Sequence, residues 1–216
     1  MNTIPNIEGG RRCKRVRCFE AIFKEWIGCI SQIAHDWKSR GDVPWWYNER
    51  ASLSVFAGAV WRAGGLCFEE YCDEKRTIGT QSRCFGKPYP GRVDLGFSRN
   101  GIDFIGEAKA TWHCFGQCDR EGAGDRIRRR LKSACDDVRL TTPNGRRRFG
   151  IVFARPVFKK RFKAEIDIKL KRWVEMLAEF DTSAYAWAFP PCARHIYSED
   201  GYFCPGEAVL VKEVHK

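Results

Sequence analysis

Asp94, Glu107 and Lys109 are the residues of this 216-residue sequence whose types and spacing are suited to hydrolytic chemistry. Arg92 to Ser98 alternates, with Val93, Leu95 and Phe97 on one side, and Ile102 to Lys109 is again strand-like. Asn100-Gly101 between two such runs is a strong hairpin signal. With those two as loop residues Arg99 faces Ile102, and counting back from the turn places Asp94 opposite Glu107. Directly opposed residues have Cβ atoms about 4.5–5.5 Å apart, and strand alternation puts Lys109 on the face of Glu107. Two carboxylates that close repel unless a cation compensates. A hard divalent ion such as Mg²⁺ or Mn²⁺ suits oxygen ligands, polarises a phosphoryl oxygen and lowers the pKa of a bound water. Lys109 would then orient the water or stabilise charge developing on phosphate. The competing reading is a cross-strand salt bridge on a solvated sheet, which the neighbours Gly96, Asp103 and Ile105 leave open.

Asp94, twelve intervening residues and then Glu107-Ala108-Lys109 resemble the PD-(D/E)xK, or restriction endonuclease-like, nuclease superfamily. The resemblance implies that Asp94, Glu107 and the Ala108 carbonyl bind the metal and that Lys109 assists the attacking water. It implies an α/β fold, a restriction-endonuclease-like α-β-β-β-α-β core whose mixed central sheet is flanked by helices. It also implies phosphodiester hydrolysis leaving 5′-phosphate and 3′-hydroxyl ends, in DNA ahead of RNA. Val93 stands where the motif's name has Pro, and the match spans Trp46 to Ala154, about half of the chain. A fourth carboxylate belongs with these three. Glu49 precedes Leu53, Phe56 and Val60 at helical spacing, so it lies on an apolar helix face, where an unpaired carboxylate is costly. In the resembled family the first core helix often supplies such a Glu. The plainer reading is an acid complementing a helix N-terminus. Glu69 and Glu70 are weaker candidates.

The charge is concentrated beyond the hairpin. The chain carries 38 Lys and Arg against 27 Asp and Glu, a formal net of +11. Between Arg126 and Lys163 stand fourteen basic residues and only Asp136 and Asp137 as acids, so that segment holds the whole excess. Such a run points to a polyanion, nucleic acid above all. Arg126, Arg128, Arg129, Arg130 and Lys132 on a helix, followed by Arg146, Arg147 and Arg148 before a strand, would form a phosphate track. Phosphate contacts of this kind give affinity and register without base specificity. A homodimer or a larger nuclease complex is compatible with this reading.

The elements that must position these groups can be read from periodicity. Phe19 to Trp37 follows the 3.6-residue period. Asp42-Val43-Pro44 offers a cap and early Pro for a second helix running to about Arg62, stopped by Gly64-Gly65. Leu66 to Tyr71 reads as a strand, followed by an unassigned polar stretch from Cys72 to Arg83, and Pro88 and Pro90-Gly91 punctuate before the hairpin. Asp125 would cap a helix burying Ile127, Leu131, Ala134, Cys135 and Val138, and Phe149 to Ala154 is a short buried strand. Lys159 to Phe180 is helical, and Tyr185 to Phe189 and Ala208 to Val211 are two more strands. This gives one α/β domain, which the resemblance implies is a single nuclease-like domain: an N-terminal helical extension over 1–43, a catalytic core over 44–154, and a C-terminal helix with strands over 155–216.

Composition narrows the classes. With 44% hydrophobic residues, 15 Phe and 8 Trp, disorder is excluded. No apolar run approaches the roughly 20 residues of a membrane span, and no secretory signal is visible before Phe23. The expectation is a cytoplasmic protein whose eleven Cys are mostly reduced. Cys192 and His195 with Cys204, and His113-Cys114 with Cys118, are the groupings closest to a zinc site. Neither supplies four ligands, and a structural zinc is disfavoured. Two alternatives to a nuclease stand: a non-catalytic nucleic-acid-binding or partner-docking module on the same fold, and a zinc-stabilised binding protein.

Overall fold

In the computed structural model, which describes residues 7–78, 85–115 and 122–215, a mixed and largely antiparallel sheet is flanked by helices on both faces. The strands are β1 (Gly9–Cys13), β2 (Leu66–Ile78), β3 (Phe85–Arg99), β4 (Ile102–Phe115), β5 (Arg147–Lys159), β6 (Ala184–Ala188), β7 (Tyr202–Phe203) and β8 (Glu207–Val214). The helices are α1 (Phe19–Trp37), α2 (Glu49–Arg62), α3 (Ala123–Arg139) and α4 (Ile166–Ala178). The sheet order is β1-β6-β8-β5-β4-β3-β2, with β7 paired to β5. β4 and β5, joined through α3, run parallel. The other pairings are antiparallel.

The central strands carry both cores. β5 is buried from Arg148 to Phe158, as expected for a strand covered on both faces. Phe149, Ile151 and Phe153 join the core under α1 and α2, whereas Val152, Ala154 and Phe158 join the core under α3 and α4. α1 buries Phe19, Ile22, Phe23, Trp26, Ile30 and Ala34, one stripe at helical spacing. α3 begins at Ala123 after Gly122, so Asp125 stands in its first turn rather than capping it; the helix buries the five residues expected of it and leaves its basic positions outside. Among the described residues no helix is long and apolar enough to cross a membrane.

Five further expectations are corrected. α2 does not start at the Asp42-Val43-Pro44 signal. Asp42 spends its carboxylate on the Val43 amide and the Tyr47 hydroxyl, each at 2.8 Å. Pro44–Trp46 makes one 3-10 turn, and Asn48 caps α2 by accepting the Ala51 amide at 3.1 Å. Pro88 and Pro90 do not end a strand but lie inside β3, opposite Arg76 and Glu74. Among the described residues β3 has only β2 as a neighbour there, and an unpaired edge tolerates the missing N–H. The unassigned stretch after Tyr71 continues β2 to Ile78, its end held by Arg76 donating to the Leu140 carbonyl and Thr142 to that of Glu74. The helix expected over Lys159–Phe180 is a 3-10 turn, Lys160–Glu165, leading into α4. Finally, the N-terminal extension contributes a strand as well as a helix. β1 lies against β6, and a Cβ at Gly10 would come within 2.3 Å of the Trp187 ring, so the residues that hide this strand from propensity are what let it pack.

Candidate active site at a parted hairpin

The hairpin has the register read from its turn. Asn100 and Gly101 both adopt positive φ, 52° and 73°, as a two-residue turn of this hand requires. The pairs run from Arg99↔Ile102 to Leu95↔Gly106 and stop there, one short of the expected Asp94–Glu107 pair, which the ladder does not form. Beyond that point β4 continues beside β5 to Phe115 while β3 stays with β2. Two local features turn the β2–β3 ribbon away. Glu70 takes a left-handed φ of 49° between the pairs Glu69↔Leu95 and Tyr71↔Val93. Gly96 makes room for the Tyr71 ring, since a Cβ there would sit 2.7 Å from it.

The parting strips one edge of β4 of its partner, and buried backbone amides must find others. The Ala108 amide, which a continued ladder would direct to Val93, donates instead to Asp94 Oδ2 at 2.9 Å. Two residues on, the Ala110 amide lies near enough to the carboxylate of Glu49, the first residue of α2, to pull its pKa down. The Ala108 carbonyl shares the orientation of its amide and faces the same edge. Asp94 and Glu49 therefore enter the gap as substitutes for a missing strand, one from β3 and one from the α2 side of the sheet.

Glu107 and Lys109 approach from the α3 side. Glu107 is 3% exposed, and its Oε1 meets Lys75 Nζ at 2.7 Å. Burial pushes its carboxyl up to about 7; the Lys75 hydrogen bond opposes that rise and neighbouring Asp94 adds to it. Glu49, half-buried, is raised first by burial, then by Asp94, with Lys109 and Arg130 pulling it down. Lys109 donates to Asp137 Oδ2 of α3 at 2.8 Å. Burial would lower the Lys109 ammonium, but Asp137, Glu49 and Asp94 outweigh it and hold it above its ordinary value. The four residues singled out in the sequence thus lie in one electrostatic neighbourhood around β4. Lys75, Tyr71 and Asp137 belong to it and were not expected. Lys75 sat in the unassigned polar stretch, while Asp137 left a trace as one of two acids in the basic segment.

The donor set fits a hard divalent cation. Asp94, Glu107 and the Ala108 carbonyl offer oxygens only, and a buried carboxylate beside a second one is relieved by positive charge. Among the described residues no three His, Cys, Asp or Glu side chains are drawn together into a ready metal cage. The zinc groupings are not assembled in the described residues: His113 packs on Phe115 and Trp173, Cys204 is buried with its thiol on the Gly206 carbonyl, and Cys118 lies outside them.

The structure divides the basic segment in two. Arg126 and Arg130, with Asp137, lie on the α3 stripe that faces the parted edge: Arg126 donates to the Trp112 carbonyl at 3.4 Å and Arg130 lowers Glu49. Arg128, Arg129 and Lys132 are exposed on the other stripes, with Arg128 paired to Asp125 and Lys132 to Asp136, each at 2.7 Å. Arg146, Arg147 and Arg148 do not extend that track, because strand alternation and burial commit them elsewhere. Arg146 pairs with Asp73, Arg147 forks onto Glu213 at 2.7 and 2.8 Å, and buried Arg148 caps the carbonyls of Arg139 and Thr141 at the end of α3.

No family model, curated protein or solved structure matches this chain.

Proposed function

We propose that this chain is a metal-dependent nuclease of the PD-(D/E)xK type that hydrolyses phosphodiester bonds, with DNA as the favoured substrate. The observation that carries the reading is the parted hairpin, which gathers Asp94, Glu107, Lys109 and Glu49 around one unpaired strand edge beside a basic helix. The element order α2-β2-β3-β4-α3-β5, with β4 and β5 parallel, supports a restriction-endonuclease-like core. In this reading Asp94, Glu107 and the Ala108 carbonyl hold Mg²⁺ or Mn²⁺, which would supply charge neutralisation at phosphate and a more acidic water. Lys109 donates hydrogen bonds to the attacking water or the phosphate oxygens, and Glu49 keeps that ammonium charged and aimed. Arg126 and Arg130 border the site as phosphate contacts, and the outer cations of α3 extend affinity along the backbone. The nine cysteines among the described residues are unpaired, in keeping with a cytoplasmic setting.

A second reading has its own observation. Glu107 is already neutralised by Lys75 and Lys109 by Asp137, so the same architecture would serve a non-catalytic nucleic-acid-binding module whose charges are structural. Incubation of the protein with single-stranded, duplex and branched DNA in Mg²⁺ or Mn²⁺ separates the two. The nuclease reading expects cutting of at least one substrate, its arrest by chelation, and its loss in Glu107→Ala with DNA binding retained. Folded wild type that binds DNA and cuts none of these substrates, nor RNA, makes the binding module the better account.

A further inference from the structure

Glu49, the first residue of α2, lies over the Ala110 edge of β4, and the structure contains a device that holds this helix start against the sheet. Arg155 of β5 is fully buried. Its Nη1 donates to the Tyr47 carbonyl at 2.9 Å and its Nη2 to the Asn48 carbonyl at 3.0 Å, the two residues immediately before Glu49. Nη2 also donates to Ser52 Oγ at 2.6 Å, one turn into α2, and Nε to Glu207 Oε2 at 3.2 Å. Ser52 in turn donates to the same Glu207 oxygen at 2.6 Å. The indole of Trp112 covers the guanidinium at 4.8 Å.

The geometry ties the helix start to the strand that bears the site. Arg155 pairs with Trp112 in the β4–β5 ladder, and Ala110 pairs with Phe153, one alternation earlier. A planar guanidinium offers a fixed fork of donors, so bonds to two successive carbonyls set the position and the rotation of the chain at Asn48. A lone N-cap contact, such as Asn48 makes with Ala51, orients the helix end but does not tie it to β4. We infer that Arg155, braced by Ser52 and Glu207, is the positioning residue for Glu49, and through it for the metal-binding edge of β4. The link to the metal rests on the proposed function; the link to Glu49 does not.

The test uses the full-length protein and two readouts. Replacing the ion pair as a whole, Arg155→Met with Glu207→Leu, removes the carbonyl contacts without leaving a buried charge unpaired. Amide hydrogen exchange then reports on Glu49 directly. Ala110 is expected to exchange at least about tenfold faster in the double replacement and in Glu49→Ala, while Ala108, held by Asp94, keeps its wild-type protection. Ser52→Ala, which loosens the brace with the ion pair in place, should give a smaller rise at Ala110 alone and decides the matter if the double replacement does not fold. Ala110 protection equal to wild type in either folded variant overturns the inference, as does a uniform loss of protection across β4. Titration with Mn²⁺ alone, without nucleic acid, forms the second readout. The double replacement and Glu49→Ala should weaken Mn²⁺ binding to the same extent and add nothing to each other. Wild type that binds no Mn²⁺ defeats the metal site, and the exchange result still decides whether Arg155 places Glu49.

Discussion

Two buried glutamates show how differently this fold treats a carboxylate. Glu207 is fully enclosed, shares one oxygen between Ser52 and Arg155, and belongs to a fork of bonds that also grips the start of α2. Glu107 is 3% exposed and rests on a single ammonium, Lys75, with Asp94 as a repelling neighbour. Arginine's planar fork cannot leave one acceptor without breaking others, whereas a lysine is a point charge on a flexible stem. The first region is built to stay as it is. Under the proposed function the second would exchange its ammonium for a metal ion, and a single lysine partner suits that exchange.

The comparison breaks most sharply in stability. Glu207→Ala strands the Arg155 guanidinium in a dry core, and loss of one partner from a buried pair costs about 3–5 kcal/mol. Glu107→Gln removes a carboxylate that burial already disfavours and should cost less than about 1 kcal/mol. Urea unfolding of the two variants measures the contrast. Equal losses would mean that Glu107 is as much a part of the scaffold as Glu207.

The pH dependence sharpens it. A carboxyl raised to about 7 holds its proton in the folded state at pH values where the unfolded chain has released it. The site's contribution is therefore fully present below about pH 4.5 and declines as pH rises through 7, by about 3 kcal/mol in all. Wild type minus Glu107→Gln, followed from pH 4 to pH 8 without metal, should trace that decline. Metal binding has the opposite slope, because only the carboxylate is a ligand, and Mn²⁺ affinity should climb through the same window. A flat difference would mean that Lys75 keeps Glu107 charged throughout.

A third contrast concerns turnover. Lys109→Ala leaves both carboxylates and the Ala108 carbonyl in place, so Mn²⁺ binding should survive while cutting falls about a hundredfold or more, the scale for a positioned proton-transfer group. Lys75→Ala should do the reverse: it removes the hydrogen bond that holds the Glu107 carboxyl down, so Mn²⁺ binding should move to higher pH while the chemical step at saturating Mn²⁺ is not slowed. If Lys75→Ala is the slower of the two, the catalytic and the neutralising lysine have been interchanged.

The sequence exposed these regions unequally. The Asn100-Gly101 turn was enough to read the register of the hairpin, because turn chemistry and strand alternation are local rules. α1 and the buried face of α3 were equally plain from their period. The parting of β3 from β4 was invisible, since it depends on Glu70 in a left-handed conformation and on Tyr71 folding over Gly96, a contact between two strands. Lys75 was hidden for the same reason: the polar run after Tyr71 shows no period until its pairing with β3 and the Leu140–Thr142 segment is known. Arg155 read as one more cation of a basic segment, and only its burial separates it from Arg128 or Arg130.

The smallest expected effect concerns that segment, where formal charge and available charge diverge. Of its cations, Arg148 and Arg155 are buried and Arg147 is forked onto Glu213, so these carry no weight in long-range attraction to a polyanion. Arg128 and Arg129 are exposed, Arg128 beside Asp125, while Arg130 lies near Glu49. Arg128→Ala with Arg129→Ala should lower affinity for unrelated DNA sequences alike and reduce the log–log salt slope by about 0.7–0.9 for each phosphate no longer neutralised, leaving turnover at saturating substrate unchanged. Arg130→Ala should take a similar amount from the slope and also reduce turnover, because it withdraws positive charge from the neighbourhood of Glu49. Arg147→Ala should change neither the slope nor turnover, and should cost some stability through the unpaired Glu213. A slope that responds to Arg147 as strongly as to Arg128 would mean that the strand residues meet the phosphates after all, and that the division of the basic segment at the end of α3 does not describe the bound state.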